Sequence, residues 1–301
     1  MTWRSRKLSS HLEETNVARR PAVAGMFYES EQDALLRGIQ QCFLSKLGPG
    51  RLPHARSERL GRVIGLVSPH AGYVYSGPAA AWAYASLASD GIPDVAVILG
   101  PNHQGYGANV AVSVEPEWLT PLGTAQADIE VAEEIVGRSR YAEVDDRAHT
   151  HEHSVEVQIP FLQFLAGDKT RIVAICLAHL PKPDALALVA DLGAAIAGSL
   201  EGRNAVVIAS TDFTHYESRA SAQIKDESAL GRILLLDGPG LIDVVYEQSI
   251  TMCGAIGTAV MLEACKRMGA ETVRQLAYYT SGDVTGDISQ VVGYASVSVE
   301  L

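Results

Sequence analysis

Asp94-Val-Ala-Val-Ile-Leu-Gly-Pro-Asn-His103 joins five consecutive apolar residues to a glycine, a proline and two polar side chains. A run that short, with no polar alternation, reads as a strand buried on both faces, the kind found in parallel sheets covered by helices. Three more segments share the pattern: Arg62-Val-Ile-Gly-Leu-Val-Ser68, Arg171-Ile-Val-Ala-Ile-Cys-Leu177 and Asn204-Ala-Val-Val-Ile-Ala209. Helical patterns lie between them at 78–89, 128–138 and 183–200. The alternation predicts βαβ units and an α/β three-layer sandwich, with a mixed, mostly parallel central sheet and helices on both faces.

Toward the C-terminus, helices are expected at 221–236, 240–248 and 254–268, then two strands at 273–279 and 290–299. The connection Ser281-Gly-Asp-Val-Thr-Gly-Asp287 has calcium-like aspartate spacing but no bidentate glutamate at the right distance. It reads as a turn whose side chains cap their own backbone. There is no internal repeat. The linker-like stretch 46–59 lies too near the start to separate two domains, so one domain over 21–301 is expected, with 1–20 as a mobile tail.

Of the 301 residues, 47% are hydrophobic and 20% charged, which is globular composition. A formal net charge of −11 argues against a nucleic-acid partner, whose phosphates are bound by basic surfaces that release counterions. The longest apolar stretch, 185–200, is broken by Asp191, and no segment is expected to span a membrane. The first twenty residues lack the apolar core of a signal peptide. Cys42, Cys176, Cys253 and Cys265 form no CxxC pair and read as reduced thiols, which places the chain in the cytoplasm. Oligomeric state is left open.

The chemistry gathers just past the strand ends. The first strand leads into Ser68-Pro-His70-Ala-Gly-Tyr-Val-Tyr-Ser-Gly77, the second into Gly100-Pro-Asn-His103, and the last into Ser210-Thr-Asp212-Phe-Thr-His215-Tyr216. Open α/β sheets bind ligands in the crevice beyond the carboxyl ends of their strands. Three histidines delivered to that edge point to a shared site. Cys253, in Met252-Cys-Gly-Ala-Ile-Gly257, precedes an apolar helix. Two readings stand open for it: a thiolate favoured by the helix dipole, or a small hydrophobe packed beside glycines. Imidazole with thiolate suits zinc, copper or iron. The tract Ala148-His149-Thr-His151-Glu152-His153 resembles a metal tract, with His153 expected to line the pocket and His149 and His151 to be ordinary loop residues.

Further strings carry a resemblance: Ala22-Val-Ala-Gly-Met-Phe-Tyr28, Pro69-His-Ala-Gly-Tyr73, Leu99-Gly-Pro-Asn-His103, Thr120-Pro-Leu-Gly123, Glu152-His-Ser-Val-Glu-Val-Gln-Ile-Pro160, Ser210-Thr-Asp-Phe-Thr-His215, Cys253-Gly254, and 286–294. In this order, from about residue 21 to the end, they resemble the Memo family, called in prokaryotes the AmmeMemoRadiSam system protein B. The resemblance implies a fold similar to class III extradiol dioxygenases, which open catechol rings with non-haem iron held by two histidines and a glutamate. Carried over by position, the histidine ligands fall on His70 and His103, and the glutamate position falls on Cys253. The acid/base histidine falls on His215, with Asp212 to orient it. A thiolate in place of the carboxylate is softer and more oxidisable. The resemblance therefore implies Fe(II), with copper or zinc as alternatives, in an oxidoreductase acting on small aromatic, catechol-like compounds. Animal members are discussed as redox and signalling proteins, with peptide recognition at the same pocket, which implies the alternative of a non-catalytic metal- or peptide-binding protein. Tyr73 and Tyr75 are candidates to stack on a ring or simply to pack. Zinc hydrolysis is the least favoured reading, with Glu152 as its only available base.

Overall fold

The five apolar residues of 94–103 form a central strand of the sheet in the computed structural model, which describes residues 18–301. In chain order the elements are α1 (Gln32–Leu44), β1 (Val63–Ser68), α2 (Tyr73–Asp90), β2 (Val95–Pro101), β3 (Val110–Val112), β4 (Glu117–Thr120), β5 (Gly123–Gln126), α3 (Ile129–Arg138), β6 (Glu143–Val144) and α4 (Ile159–Ala166). The second half holds β7 (Arg171–Leu177), α5 (Lys182–Ser199), β8 (Ala205–Ser210), β9 (His215–Glu217), α6 (Arg219–Leu234), α7 (Gly238–Glu247), α8 (Ala255–Arg267), β10 (Thr272–Thr280), α9 (Ser281–Thr285) and β11 (Val291–Glu300). The main sheet runs β10-β11-β1-β8-β2-β7-β3-β6, with β9 paired to β11, while β4 and β5 form a separate hairpin. The four strands read from their apolar runs pair in parallel at the centre as β1, β8, β2 and β7. The flanking pairs β1–β11, β10–β11 and β3–β7 are antiparallel.

Side chains alternate across a strand, so each central strand feeds two cores. On β2, Val95, Val97 and Leu99 face a cluster with α3, α5, α6, α7 and α8, while Ala96 and Ile98 face one with α1, α2 and α4. That is the expected three-layer sandwich, with both faces covered. Tyr84 of α2 stacks on Phe161 of α4 with centroids 5.0 Å apart, tying two helices of the second layer together.

Two boundaries differ from expectation. The helix expected to open at Pro78 starts at Tyr73, so Pro78 lies inside it. Its first turn is anchored from outside, because Tyr73 N donates to Phe27 O at 2.8 Å. The expected tail 1–20 is divided. Residues 1–17 lie outside the described residues, but Arg19 is buried, ion-paired with Glu156, and stacked over the Trp118 ring at 4.6 Å. The connection expected as a turn at 281–287 instead opens with the short helix α9, whose start Thr280 and Asp283 close with a reciprocal capping box. Among the described residues no helix is long and apolar enough to cross a membrane.

Candidate metal centre

The parallel strands β1, β2 and β8 end at the same edge, and each chain leaves its strand into a polar turn. His70 lies two residues past β1 and is buried. Its backbone N donates to Asp212 Oδ1 at 2.9 Å, and its Nδ1 lies 3.1 Å from Ser210 Oγ at the end of β8. His103 lies just past β2, with its backbone N on Glu152 Oε2 at 2.6 Å and its Nδ1 on Glu152 Oε1 at 2.9 Å. Cys253, just before α8, brings its Sγ to 3.3 Å from His70 Nε2. One ligand atom each from His70, His103 and Cys253 lie within 4.8 Å of one another.

The hydrogen-bond network fixes which imidazole nitrogens are free. Ser210 has one proton, and at 2.5 Å from Ser154 O, which can only accept, that proton is committed there. Ser210 Oγ already accepts from Gln158 Nε2 at 2.7 Å, and Gln158 is oriented by Tyr84 OH on its Oε1 at 2.9 Å. Ser210 therefore accepts from His70 Nδ1–H, leaving Nε2 as a bare lone pair beside Cys253. At His103 the carboxylate of Glu152 does the same, drawing the proton to Nδ1 and freeing Nε2. Metal-bound histidines are oriented in this way, by an acceptor on the other ring nitrogen. Two imidazoles and a sulfur, with a nitrogen–sulfur gap of 3.3 Å, fit an ion with bonds of about 2.0–2.3 Å, whose ligands sit roughly 3.3–3.8 Å apart. The donor set suits iron, copper or zinc better than magnesium or calcium.

Burial holds both His70 and Cys253 in their uncharged forms in the metal-free protein. Burial, with help from the other histidines, pushes His70 well below the ordinary histidine range. Burial, then the Asp212 charge, pushes the Cys253 thiol up. Of the two open readings of Cys253, the dipole-favoured thiolate does not hold in the metal-free protein, because desolvation outweighs the dipole. A coordinating cation deprotonates such a thiol outright. Glu152 goes the other way. Burial opposes its ionisation, yet the His103 hydrogen bond and the charges of His103 and His153 hold it down to about 2. Such a weak base is unsuited to the zinc-hydrolysis role.

The ring of His153 stacks on His103 at 4.8 Å and meets His70 edge-on at 5.5 Å. Phe27 covers its other side at 4.6 Å. His151 is an exposed loop residue, but His149 is buried, its Nε2 on Ala111 O at 3.1 Å and its Nδ1 3.4 Å from Cys176 Sγ. Tyr73 packs, its hydroxyl donating to Val157 O at 2.7 Å, whereas the Tyr75 ring is partly exposed. His215 lies on β9 with its Nδ1 2.8 Å from Thr251 O. Asp212 is not hydrogen-bonded to it. That carboxylate instead serves the His70 backbone, and the histidine's orienting partner is the Thr251 carbonyl. A cavity of about 490 Å³ opens from His103 and Cys253 along the start of α8 to His179 and Tyr246. The residues missed from sequence are Ser210, Glu152 as an acceptor, and Gln158. Glu152 and Gln158 stand in the Glu152–Pro160 string and Ser210 opens the Ser210–His215 string, and these strings were the available signal.

A sequence model for Memo-like protein matches residues 19–298. The chain belongs to the Memo family. A MEMO1 family protein of Methanopyrus kandleri is 46% identical over 281 residues, covering 93% of this chain and 98% of its own length. Another, from Methanothermobacter thermautotrophicus, is 47% identical over 282 residues, covering 93% and 99%. A third, from Thermotoga maritima, is 46% identical over 280 residues, covering 92% and 98%. The Memo match begins at Arg19, where the described fold begins to pack.

Proposed function

We propose that this Memo protein is a metal-dependent oxidoreductase, with His70, His103 and Cys253 holding Fe(II), or alternatively copper or zinc, and small aromatic compounds as substrates. The observation that carries the reading is the pair of imidazoles whose Nδ1 protons are committed to Ser210 and Glu152, which leaves both Nε2 atoms free in a group whose ligand atoms, with the Cys253 sulfur, lie within 4.8 Å of one another. A bound iron or copper ion would supply electron transfer and oxygen chemistry. The chain's own part is to position and to move protons. His153 and Phe27 wall the site on one side. His215, held through Nδ1 by Thr251 O, has Nε2 free to take and return a substrate proton. Asp212 fixes the His70 backbone, so its role is support rather than orientation of His215.

The test is anaerobic loading with iron or copper, then oxygen uptake over a panel of catechols and phenols. Uptake by the wild type, lowered about 10²–10⁴-fold in His215→Ala at equal metal content, is the expected result. Metal-loaded protein that consumes no oxygen with any compound would overturn the enzyme reading. The cavity's extension to His179 and Tyr246, beyond what one ring needs, favours a second reading in that event. The same centre would then hold a metal, or an extended ligand such as a peptide, without turnover.

A further inference from the structure

Among the described residues, Tyr28, Tyr73, Tyr84, Tyr279 and Tyr294 are the buried tyrosines. Four use their hydroxyls inside the protein: Tyr28 on Glu156, Tyr73 on Val157 O, Tyr84 on Gln158 and Tyr279 on Tyr75 O. Tyr294 is 2% exposed, and its hydroxyl has no hydrogen-bond partner among the described residues. Buried phenols ordinarily find one. The fully enclosed partnerless atoms include Ser68 Oγ and Thr214 Oγ1 but not the Tyr294 oxygen. What little exposure Tyr294 keeps therefore includes the hydroxyl tip, the one part of the side chain with bonds still to make.

Its position in the sheet puts the side chain beside the turn that carries His70. The preceding residue, Gly293, exchanges backbone hydrogen bonds with Phe213 and Thr214, just past Asp212. The face of β11 that Gly293 presents is filled by Asp226, so the next side chain turns to the opposite face. There Tyr294 packs with Ala79, Tyr279 and Ala71, the residue after His70. The charged or titratable groups that bear on its phenol are Asp212 first, then Tyr279, Tyr75 and Tyr216. Tyr75 and Tyr216 are exposed, and Tyr216 is held at φ 59°, a left-handed conformation that a non-glycine residue adopts at a cost.

We propose that the Tyr294 hydroxyl is a ligand-binding group of this centre, donating a hydrogen bond to an oxygen of a phenolic compound lodged between Asp212 and the Tyr75–Tyr216 rim. The inference rests on the reading of the His70–His103–Cys253 site as one that takes small aromatic compounds. It adds which oxygen donor recognises them and on which side of the site they enter.

Tyr294→Phe tests it, because the ring and its packing remain and no internal hydrogen bond is lost. The measurement is binding of 4-nitrocatechol, tracked by its visible band, to iron-loaded wild type and variant, with metal content and thermal midpoint recorded beside it. The expected result is equal metal content, a thermal midpoint unchanged or higher, and a Kd raised about three- to tenfold, the range of one net hydrogen bond. Tyr279→Phe, which loses two internal hydrogen bonds, should instead lower the thermal midpoint. If wild type binds the probe and Tyr294→Phe binds it equally well, the inference falls while the aromatic-ligand reading stands. If metal-loaded wild type does not bind it, both fall.

Discussion

Glu152→Gln is the substitution that tests the centre's construction most directly. The Glu152 carboxylate accepts from His103 N, His103 Nδ1, His153 N and Ser154 N. An amide of the same shape can accept at one end only, so its NH2 group must face either the His103 backbone N at the Oε2 position or His103 Nδ1, His153 N and Ser154 N at the Oε1 position, as a donor against a donor. The substitution has two costs. The first is to stability. The carboxyl is held at about 2 against a reference of 4.5, and that displacement, at 1.36 kcal/mol per unit, corresponds to roughly 3 kcal/mol of favourable interaction in the ionised state. Because the folded value is depressed, this contribution is present above pH 4.5 and is lost as pH falls toward 2. The second is to metal affinity. Even where the amide oxygen takes the Oε1 position, a neutral acceptor holds the His103 Nδ1 proton less firmly than the carboxylate, so Nε2 is protonated part of the time and cannot bind. Loss of such an outer partner costs about 10–100-fold in affinity. The assay is competition against a chromophoric chelator at pH 7, with urea unfolding of the metal-free protein beside it. Both quantities should fall together. A variant that unfolds more easily yet keeps wild-type metal affinity would remove His103 from the ligand set.

Cys253→Ser should lower iron and copper affinity by more than about tenfold, the least expected even for an outer-shell loss. Cys176→Ser, whose sulfur packs against His149 rather than the centre, should leave metal content unchanged on elemental analysis. Arg19→Ala leaves Glu156 buried without its ion-pair partner and should destabilise the fold by about 3–5 kcal/mol, read by denaturant unfolding. His149 is lowered by burial to about 4, so its neutral form favours folding fully above pH 6.5, and the contribution drains away as pH falls toward 4, on the order of 3 kcal/mol in all. The loss of stability between pH 7 and 4.5 should be smaller in His149→Gln, and an identical loss would show that other groups carry the acid sensitivity.

The central strands were legible because each is a short, unbroken apolar run, and only a strand covered on both faces needs one. The short strands β3, β6 and β9 carry two or three residues each, too few for any periodicity to show. The start of α2 was hidden for another reason. Pro78 reads as a helix opening, but the true first turn is set by Phe27, some fifty residues earlier, through its carbonyl on Tyr73 N. Arg19 escaped notice likewise. Nothing local marks it as buried, since its partners Glu156, Trp118 and His149 O are all remote in sequence.

Sequence neighbours misled at Asp212 and His215. Three residues apart, they suggested a carboxylate orienting an imidazole. The backbone between them is stitched to β11, however, with Phe213 N on Gly293 O and Gly293 N on Thr214 O. Pairing of that kind turns the chain from the strand-end loop into β9, so the two side chains are handed to different neighbours. Asp212 turns back to the His70 backbone, and His215 goes outward to Thr251, whose hydroxyl accepts from His215 N and whose carbonyl faces Nδ1. The consequence for mechanism is physical. A carbonyl accepts from Nδ1–H and fixes the tautomer as a carboxylate would, but it brings no full charge to hold the imidazole protonated. His215 is thereby held in one tautomer, with Nε2 left free. The acidic group stays instead beside His70 and Cys253, with Asp212 Oδ2 4.0 Å from His70 Nε2 and the Asp212 backbone N on the Cys253 sulfur at 3.3 Å.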